Sequence, residues 1–533
     1  MTHIVLLSSP EFSRKGVIRI AAAIILGAVT TAAARPSLLV AQVQAEVDPR
    51  AEASRLRDTG DFQAAVSLLR SHLALHPDDG DALRMLAQTL YWTKDVAAAR
   101  VVSEQALKAH PEDTELRLQY AQMLVETGSG NRARELLAQV GSPATGGRAD
   151  AMLGTLDYSE GDWASADKRL ASAIASGDVD PAIRKIHTDI AVLTAPWIRI
   201  EPRYQHDDQP INRKGASAEA GWYLVPSTSI SIRGNGMQID LSDTATRTVS
   251  QAELEVRHYA AAARAEIAAS LGGVTRSFGT SSDVIGAAGI AFRLPNHFKL
   301  GGRASRSAYL ATEASLSRSV MTNTAIGSLQ LDHPSGWLGE AAYQFQRFPD
   351  SNSSTSGYVW ILAPVVHSAP LDIRVGYSGA IENSSESRFS LTHPTQPYLP
   401  GDSRYDLSGS YQPYYTPIDL QSHSAIGSIN ARPNQMTTFN LGGSYAFRAT
   451  ESAPVLRAIS TPAPVTTTVQ RSSYTRHFNP WNAHGSLSLN ASNDLGVIAN
   501  AEMFRTGFYT ASSASVGLVY RFANRAIQKA GGY

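Results

Sequence analysis

The sequence predicts an α + β multidomain protein, a helical repeat solenoid followed by an antiparallel transmembrane β-barrel of about 16 strands, an even count being expected of a bacterial single-chain barrel. A self-similarity at 34 residues runs from position 51 to about 190. After Ala195-Pro196, about 330 residues consist of short runs that alternate apolar and polar side chains. The last run, Ala514 to Phe522, sets Val516, Leu518, Tyr520 and Phe522 on one face and Ser515, Gly517, Val519 and Arg521 on the other. That is the pattern of a closing barrel strand, with lipid outside, a lumen inside and an aromatic at the interface. A soluble β-sandwich or propeller is the alternative for the strand-rich half.

Composition narrows the class. The chain has 533 residues, too many for one core, and carries 47 basic against 47 acidic residues with no cysteine. Zero net charge supplies no long-range pull on phosphates, so a nucleic-acid partner is not expected. Without cysteine there is no disulfide framework, no thiolate metal site and no lipoprotein acyl anchor. Charged residues make up 18%, below the roughly 25% of soluble domains, as suits a barrel whose outside faces lipid. At the N-terminus, Arg14, Lys15 and Arg19 precede the apolar run Ile20 to Val29 and the small residues Ala32, Ala33 and Ala34. This reads as an export signal within 1–45, cleaved after Ala34, Ala41 or Ala45, with an uncleaved anchor as the alternative. No later segment has the 18 consecutive apolar residues of a spanning helix, so any further span must be built of strands.

Residues 48–192 carry the repeat. Leu56, Leu90 and Leu124 fall in register, as do Ala53, Ala87 and Ala121, then Thr59, Thr93 and Thr127, then Ala65, Ala99 and Ala133. Pro77 and Pro111 keep the same step, each followed by an acidic pair, and Gly60-Asp61-Phe62 returns as Gly161-Asp162-Trp163. The pattern resembles the tetratricopeptide repeat. Small alanines let paired helices approach, glycine takes the turn between them, and proline stops the second helix. Each unit leaves an apolar face that only the next can cover. Three and a half to four units are expected, with the period slipping between Gly128 and Gly146, and such units bind peptides, partner proteins or each other.

Residues 196–522 form the predicted barrel and 523–533 a tail. Ile198 and Ile200 alternate with Arg199, Glu201 and Arg203; Leu254 and Val256 with Glu253, Glu255 and Arg257; Leu371, Ile373, Val375 and Tyr377 with Asp372 and Arg374. Period two means one apolar and one polar face. Turn signals separate the runs at Asp207 to Pro210, Pro295-Asn296, Pro349 to Asn352, Pro433-Asn434 and Asn493-Asp494. The longest irregular stretches, Ser384 to Ser403 and Thr450 to about Asn482, belong on the extracellular side, where long loops sit. They serve either as a gate or as solvated surface loops, and a strand of its own is expected near Val465 to Tyr474.

The polar register places Arg199, Glu201, Arg203, Glu253, Glu255, Arg257, Arg264, Glu266, Lys299, Arg303, Glu340, Asp372, Arg374, Asn500 and Glu502 toward the lumen. A conduit for a strongly anionic polymer needs a surplus of Arg and Lys along its path. Here both signs are interspersed, which favours a neutral or weakly charged glycan, or structural ion pairs only. Pyranose rings stack on aromatic faces. The barrel segment offers Trp222, Tyr223, Trp360, Tyr411, Tyr414, Tyr415, Trp481 and Phe504; lipid-facing girdles compete for each of them. Tyr414 and Tyr415, beside Pro413 and Pro417, fit a pore mouth.

An export signal, tetratricopeptide units and a C-terminal barrel together resemble the outer-membrane exopolysaccharide exporters of the cellulose synthase C subunit and poly-N-acetylglucosamine exporter type. Gly409-Ser410-Tyr411-Gln412-Pro413-Tyr414-Tyr415-Thr416-Pro417 is similar to their Gly-Tyr-Phe-Ser-Pro-type barrel motif, and Phe508-Tyr509-Thr510 with Val516 to Phe522 to their ending. This chain has far fewer repeats and continues past Phe522 to Tyr533. The small outer-membrane barrels with a few repeats found near glycosyltransferases match its length better. The resemblance implies a Gram-negative outer-membrane porin-type component, with its repeats in the periplasm docking an inner-membrane synthase or periplasmic proteins, and with exopolysaccharide and outer-membrane lipids as partners. The expected glycan path comprises Trp222, Tyr411, Tyr414, Tyr415, Trp481, Arg199, Glu201, Arg257, Arg303, Arg374 and Glu502. No catalytic, cofactor or metal residues are expected: Gly-x-Ser-x-Gly, phosphate-loop and His-Glu-x-x-His motifs are absent from the sequence. A periplasmic scaffold and a lipid- or glycan-modifying barrel enzyme remain the other readings.

Overall fold

The computed structural model describes residues 48–140, 147–177, 180–209, 211–241, 246–392, 404–462, 465–507 and 509–524. The export-signal reading and most of the tail fall outside them. The chain divides into a helical unit and a barrel unit.

The helical unit pairs α1 (Pro49–Asp58) with α2 (Phe62–Leu75), α3 (Gly80–Trp92) with α4 (Val96–Ala109), α5 (Thr114–Glu126) with α6 (Gly130–Ala138) and α7 (Arg148–Glu160) with α8 (Trp163–Ala175); α9 (Pro181–Leu193) follows. The alanine columns are the contact points: Ala53, Ala65, Ala99, Ala121 and Ala133 are fully buried, and Leu90 and Leu124 fill the gaps beside them. Aspartates cap the helices in the same rhythm. Asp61 accepts from the Ala64 amide at 3.2 Å and Asp95 from Ala98 at 3.1 Å. Asp79 accepts from Ala82 at 3.1 Å and Asp113 from Leu116 at 2.9 Å. Each satisfies an orphan donor at a helix start.

The turn inside each hairpin needs a left-handed residue. Gly60 (φ 83°), Gly128 (φ 78°) and Gly161 (φ 80°) supply it, and Lys94 (φ 69°) takes the same position in the second unit. The period is steadier than the sequence implies. α3, α5 and α7 start at 80, 114 and 148, so the register survives the Gly128–Gly146 stretch. Only the second helices slip by one residue, at α8.

The barrel wall is β1 (Trp197–Asp207), β2 (Asn212–Val225), β3 (Thr228–Asp240), β4 (Thr246–Ala260), β5 (Ala265–Arg276), β6 (Ser282–Arg293), β7 (Phe298–Ala308), β8 (Met321–Asp332), β9 (Leu338–Arg347), β10 (Ser353–His367) and β11 (Leu371–Ser384). After an excursion containing β12 (Phe389–Leu391), β13 (Arg404–Leu407) and β14 (Gly409–Tyr411), the wall resumes with β15 (Leu420–Ala431) and β16 (Thr437–Pro462). β17 (Val465–Phe478) pairs with the outer half of β16, and β18 (Trp481–Asn490), β19 (Leu495–Arg505) and β20 (Thr510–Arg521) complete the circuit. β20 pairs antiparallel with β1, Ile200 opposite Leu518, so sixteen strands close on themselves and no edge is left.

An even count returns both barrel ends to one rim. The connections at that rim span only two to five residues, such as 226–227 and 368–370. The opposite rim carries 309–320, 385–392, 404–419 and the paired outer parts of β16 and β17. Short turns are periplasmic and long loops extracellular. No described helix is long and apolar enough to cross a membrane. The protein is thus an outer-membrane barrel with a periplasmic repeat region.

Candidate pore and its extracellular constriction

Strand parity assigns each side chain to lipid or lumen. On β1, Ile198, Ile200 and Tyr204 are exposed outward; on β20, Val516, Leu518 and Tyr520 are. The residues of opposite parity face inward. A sixteen-stranded barrel leaves an aqueous channel, so the inward register is polar over most of the wall. Cross-strand partners are opposite charges or amides. Arg233 donates to Glu219 at 2.9 Å, Arg203 to Asn235 at 2.5 Å and Asn235 to Gln251 at 3.3 Å. Lys299 lies 3.6 Å from Glu266, and within β4 Arg257 pairs with Glu255 two positions before it. Solvated pairs of this kind are worth about 0–1 kcal/mol each; their consequence is a lumen of balanced charge.

The residues expected along the path divide. Arg199, Glu201, Arg257, Arg303 and Glu502 occupy inward registers. Arg374 also points inward, but it is 8% exposed, donates to the Gly336 carbonyl at 2.7 Å and pairs with Asp372, which ties it to the periplasmic β8–β9 turn. Arg264 lies in the β4–β5 turn with φ 48° rather than on a strand. Trp222 and Trp481 stand on the outward face: Trp222 is opposite Ile230, and Trp481 is opposite Tyr445, itself 55% exposed. Each begins or ends the apolar band, where an interfacial aromatic belongs. Parity in the sequence could have excluded both, because Leu224 and Leu489 share their registers. Tyr223, Tyr358, Trp360 and Phe504 stand on inward registers, as do Trp197 and Tyr259 at the periplasmic end. Tyr358 donates to Glu340 at 2.9 Å, and the buried Trp360 indole N–H has no hydrogen-bond partner among the described residues.

Two extracellular segments fold into the mouth. The segment 309–320 turns inward, so that Leu316, fully buried, packs among Ile239, Val249, Val274 and Ile285 on the lumen faces of β3 to β6, with Ile211 and Phe278 beside them. Inward side chains hold its backbone. Arg213 donates to the Leu310 carbonyl at 3.0 Å while pairing with Asp207 at 2.7 Å. Arg247 reaches the Leu316 carbonyl at 3.3 Å and Gln209 the Ala311 carbonyl at 3.3 Å. Sequence reasoning passed over this segment. Its signal was present: Ile239, Val249, Val274 and Ile285 break the polar register at one end of four successive strands, which requires an apolar partner inside the barrel.

The second segment carries Tyr411, Tyr414 and Tyr415. Tyr414 is 1% exposed, stacks on Phe348 at 3.5 Å between centroids and meets Tyr309 edge-on at 6.2 Å. Its hydroxyl donates to Asp350 at 2.6 Å, and Arg388 donates to the other Asp350 oxygen at 2.8 Å. Tyr415 donates to Glu451 at 2.7 Å, and Glu451 is paired with Arg476. Tyr411 packs edge-on against Tyr415 at 4.7 Å. The two segments clasp each other: Thr312 donates to the Pro413 carbonyl, and the Tyr415 amide to the Tyr309 hydroxyl at 3.3 Å. Burial, then the Asp350 carboxylate, pushes the Tyr414 hydroxyl up to about 12. Burial and Glu451 raise Tyr415 well above the usual range. Burial alone would raise Asp350, but the Tyr414 hydroxyl, the Asn352 amide and Arg388 outweigh it and hold the carboxyl below its ordinary value.

Residues 56–102 and 94–153 match the family model described as tetratricopeptide repeat. No curated protein matches the chain. Among solved structures, the chain is similar to a bacterial polysaccharide outer membrane secretin at 11% identity, over 62% of this chain and 99% of that one, with TM-score 0.42. It is similar to a tetratricopeptide repeat protein from Parabacteroides merdae at 15% identity, over 26% of this chain and 56% of that one, with TM-score 0.25. A third likeness is to OccK11 (OpdR) of Pseudomonas aeruginosa, at 11% identity, over 61% of this chain and 95% of that one, with TM-score 0.28.

Proposed function

We propose that the protein is the outer-membrane conduit of an exopolysaccharide export system, with its periplasmic repeats docking the synthesis machinery and a neutral or weakly charged glycan as cargo. The observation that carries this reading is a charge-balanced lumen whose extracellular mouth is partly filled by two inward-folded segments pinned by Tyr414 and Tyr415. Balanced charge gives no electrostatic well to trap a polymer at one site, and conduction requires sites weak enough to leave. Trp360 at mid-wall, with Tyr358 and Glu340 beside it, offers the apolar face and polar neighbours that a sugar ring uses. Tyr411 extends such a surface to the exit, where the buried Tyr414 and Tyr415 hold the mouth segments in place. The repeats bring a protein-binding solenoid but no aromatic row, so recruitment falls to them and passage to the barrel.

The test is deletion of the gene followed by separate assay of secreted and periplasmic polysaccharide. Glycan should vanish outside the cell while synthesis continues. Unchanged secretion would assign the protein to scaffolding or small-solute passage. Turnover of lipid or sugar by the purified protein alone would make it an enzyme, against the non-catalytic role proposed here.

A further inference from the structure

The outward faces of the sixteen wall strands hold five Lys or Arg residues: Lys214, Arg306, Arg347, Arg448 and Arg505. All five lie at the extracellular ends of their strands, and none lies at the periplasmic ends. Asp240 is the one acidic residue on those outward registers among the described residues, and it is already 3.2 Å from Lys214. Interfacial depth does not explain this. An outward cation costs about 0–1 kcal/mol near either interface, so both rims tolerate it equally. A one-sided belt needs a one-sided partner.

Arg306, Asn323 and Arg347 stand side by side on β7, β8 and β9, Asn323 being the register partner of both arginines. Strands lie about 4.8 Å apart, so the two guanidinium groups are rooted about 10 Å from each other with an amide between them. Arg306 is 43% exposed; it donates to the Val284 carbonyl at 3.2 Å and to Asn323 at 3.4 Å, and lies 3.7 Å from Asp283. Arg347 is exposed, and its side chain makes no hydrogen bond or ion pair among the described residues. A planar, permanently charged fork is suited to phosphate oxygens, and two forks at one depth on a lipid-facing wall are suited to a phosphorylated headgroup. We propose that Arg306, Asn323 and Arg347 form a binding site for the phosphorylated glucosamine headgroup of the outer-leaflet saccharolipid, within a basic belt completed by Lys214, Arg448 and Arg505.

The test uses the purified full-length protein in detergent, with bis-phosphorylated lipid A as the probe and lipid A stripped of both phosphates as the comparison. Each basic side chain near a charged lipid surface is worth about fivefold in affinity, so R347Q should weaken binding about fivefold and R306Q/R347Q about thirtyfold. Wild-type affinity should fall steeply as salt rises. R347Q removes a side chain without protein partners, so its barrel should assemble even if the double variant does not. Unchanged binding by R347Q overturns the proposal, as does equal binding of dephosphorylated lipid A. Equal binding of phosphatidylglycerol micelles overturns the assignment to a saccharolipid.

Discussion

Tyr414→Ala should open the extracellular mouth. The side chain is 1% exposed and lies between Phe348, stacked at 3.5 Å, and Tyr309, edge-on at 6.2 Å. Truncating an aromatic buried to this degree costs about 3–5 kcal/mol. Asp350 keeps Arg388 at 2.8 Å, so no orphaned carboxylate adds to that figure. About 4 kcal/mol is near a thousandfold shift in any equilibrium between docked and released segments. Tyr414→Phe keeps both ring contacts and loses the hydroxyl's hydrogen bonds, one donated to Asp350 at 2.6 Å and one accepted from Arg388 at 3.3 Å; a hydrogen bond to a charged group is worth about 1.5–3 kcal/mol. The two variants therefore separate ring packing from the hydroxyl tether.

Single-channel recording of the full-length protein in planar bilayers reads the outcome, with heat-modifiable gel migration confirming that each barrel is folded. Tyr414→Ala should lengthen open dwell times by orders of magnitude, and Tyr414→Phe by a smaller factor. A folded Tyr414→Ala barrel with wild-type conductance and dwell times would refute the idea that this tyrosine pins the mouth.

Acid should have a similar effect. A carboxyl held below its ordinary value contributes stability that is full above about pH 3.9 and drains as pH falls through the lowered value, so Asp350 should release Tyr414 and Arg388 only at strongly acidic pH, seen as openings absent at neutral pH. At the alkaline end the sign reverses. The raised Tyr414 hydroxyl holds its contribution below about pH 10 and loses it as pH passes about 12. In the repeats, Lys94→Gly should raise the helical melting transition, because a non-glycine residue in the left-handed region costs about 1–2 kcal/mol and glycine's greater unfolded entropy returns about 0.5–1 of it. Deleting 48–190 should leave a heat-modifiable barrel but halt polysaccharide secretion; normal secretion by that barrel would remove the recruiting role of the repeats.

Where local chemistry decides structure, the sequence was readable. The 34-residue columns of Ala53, Ala87 and Ala121 report helix contacts that recur because each unit packs identically on the next. Period two reports lipid on one side, and for Arg199, Glu201 and the β20 residues it assigned the correct face. What stayed hidden depends on partners distant in sequence. Tyr414 and Tyr415 were legible as mouth residues from their prolines, but their docking onto Tyr309, Phe348 and Glu451 joins residues between 36 and 106 positions away. Trp222 and Trp481 show the opposite failure, since residue type pointed to sugar stacking while their strand register points to lipid. The inward apolar residues Ile239, Val249, Val274 and Ile285 looked like ordinary strand hydrophobics. Their register, set against the polar lumen, makes them a seat for Leu316. In a barrel, then, an aromatic or apolar residue acquires its role from the parity of its strand and the rim at which it sits. The same two coordinates that move two tryptophans out of the pore also identify the apolar seat of the 309–320 segment inside it and a basic belt around it.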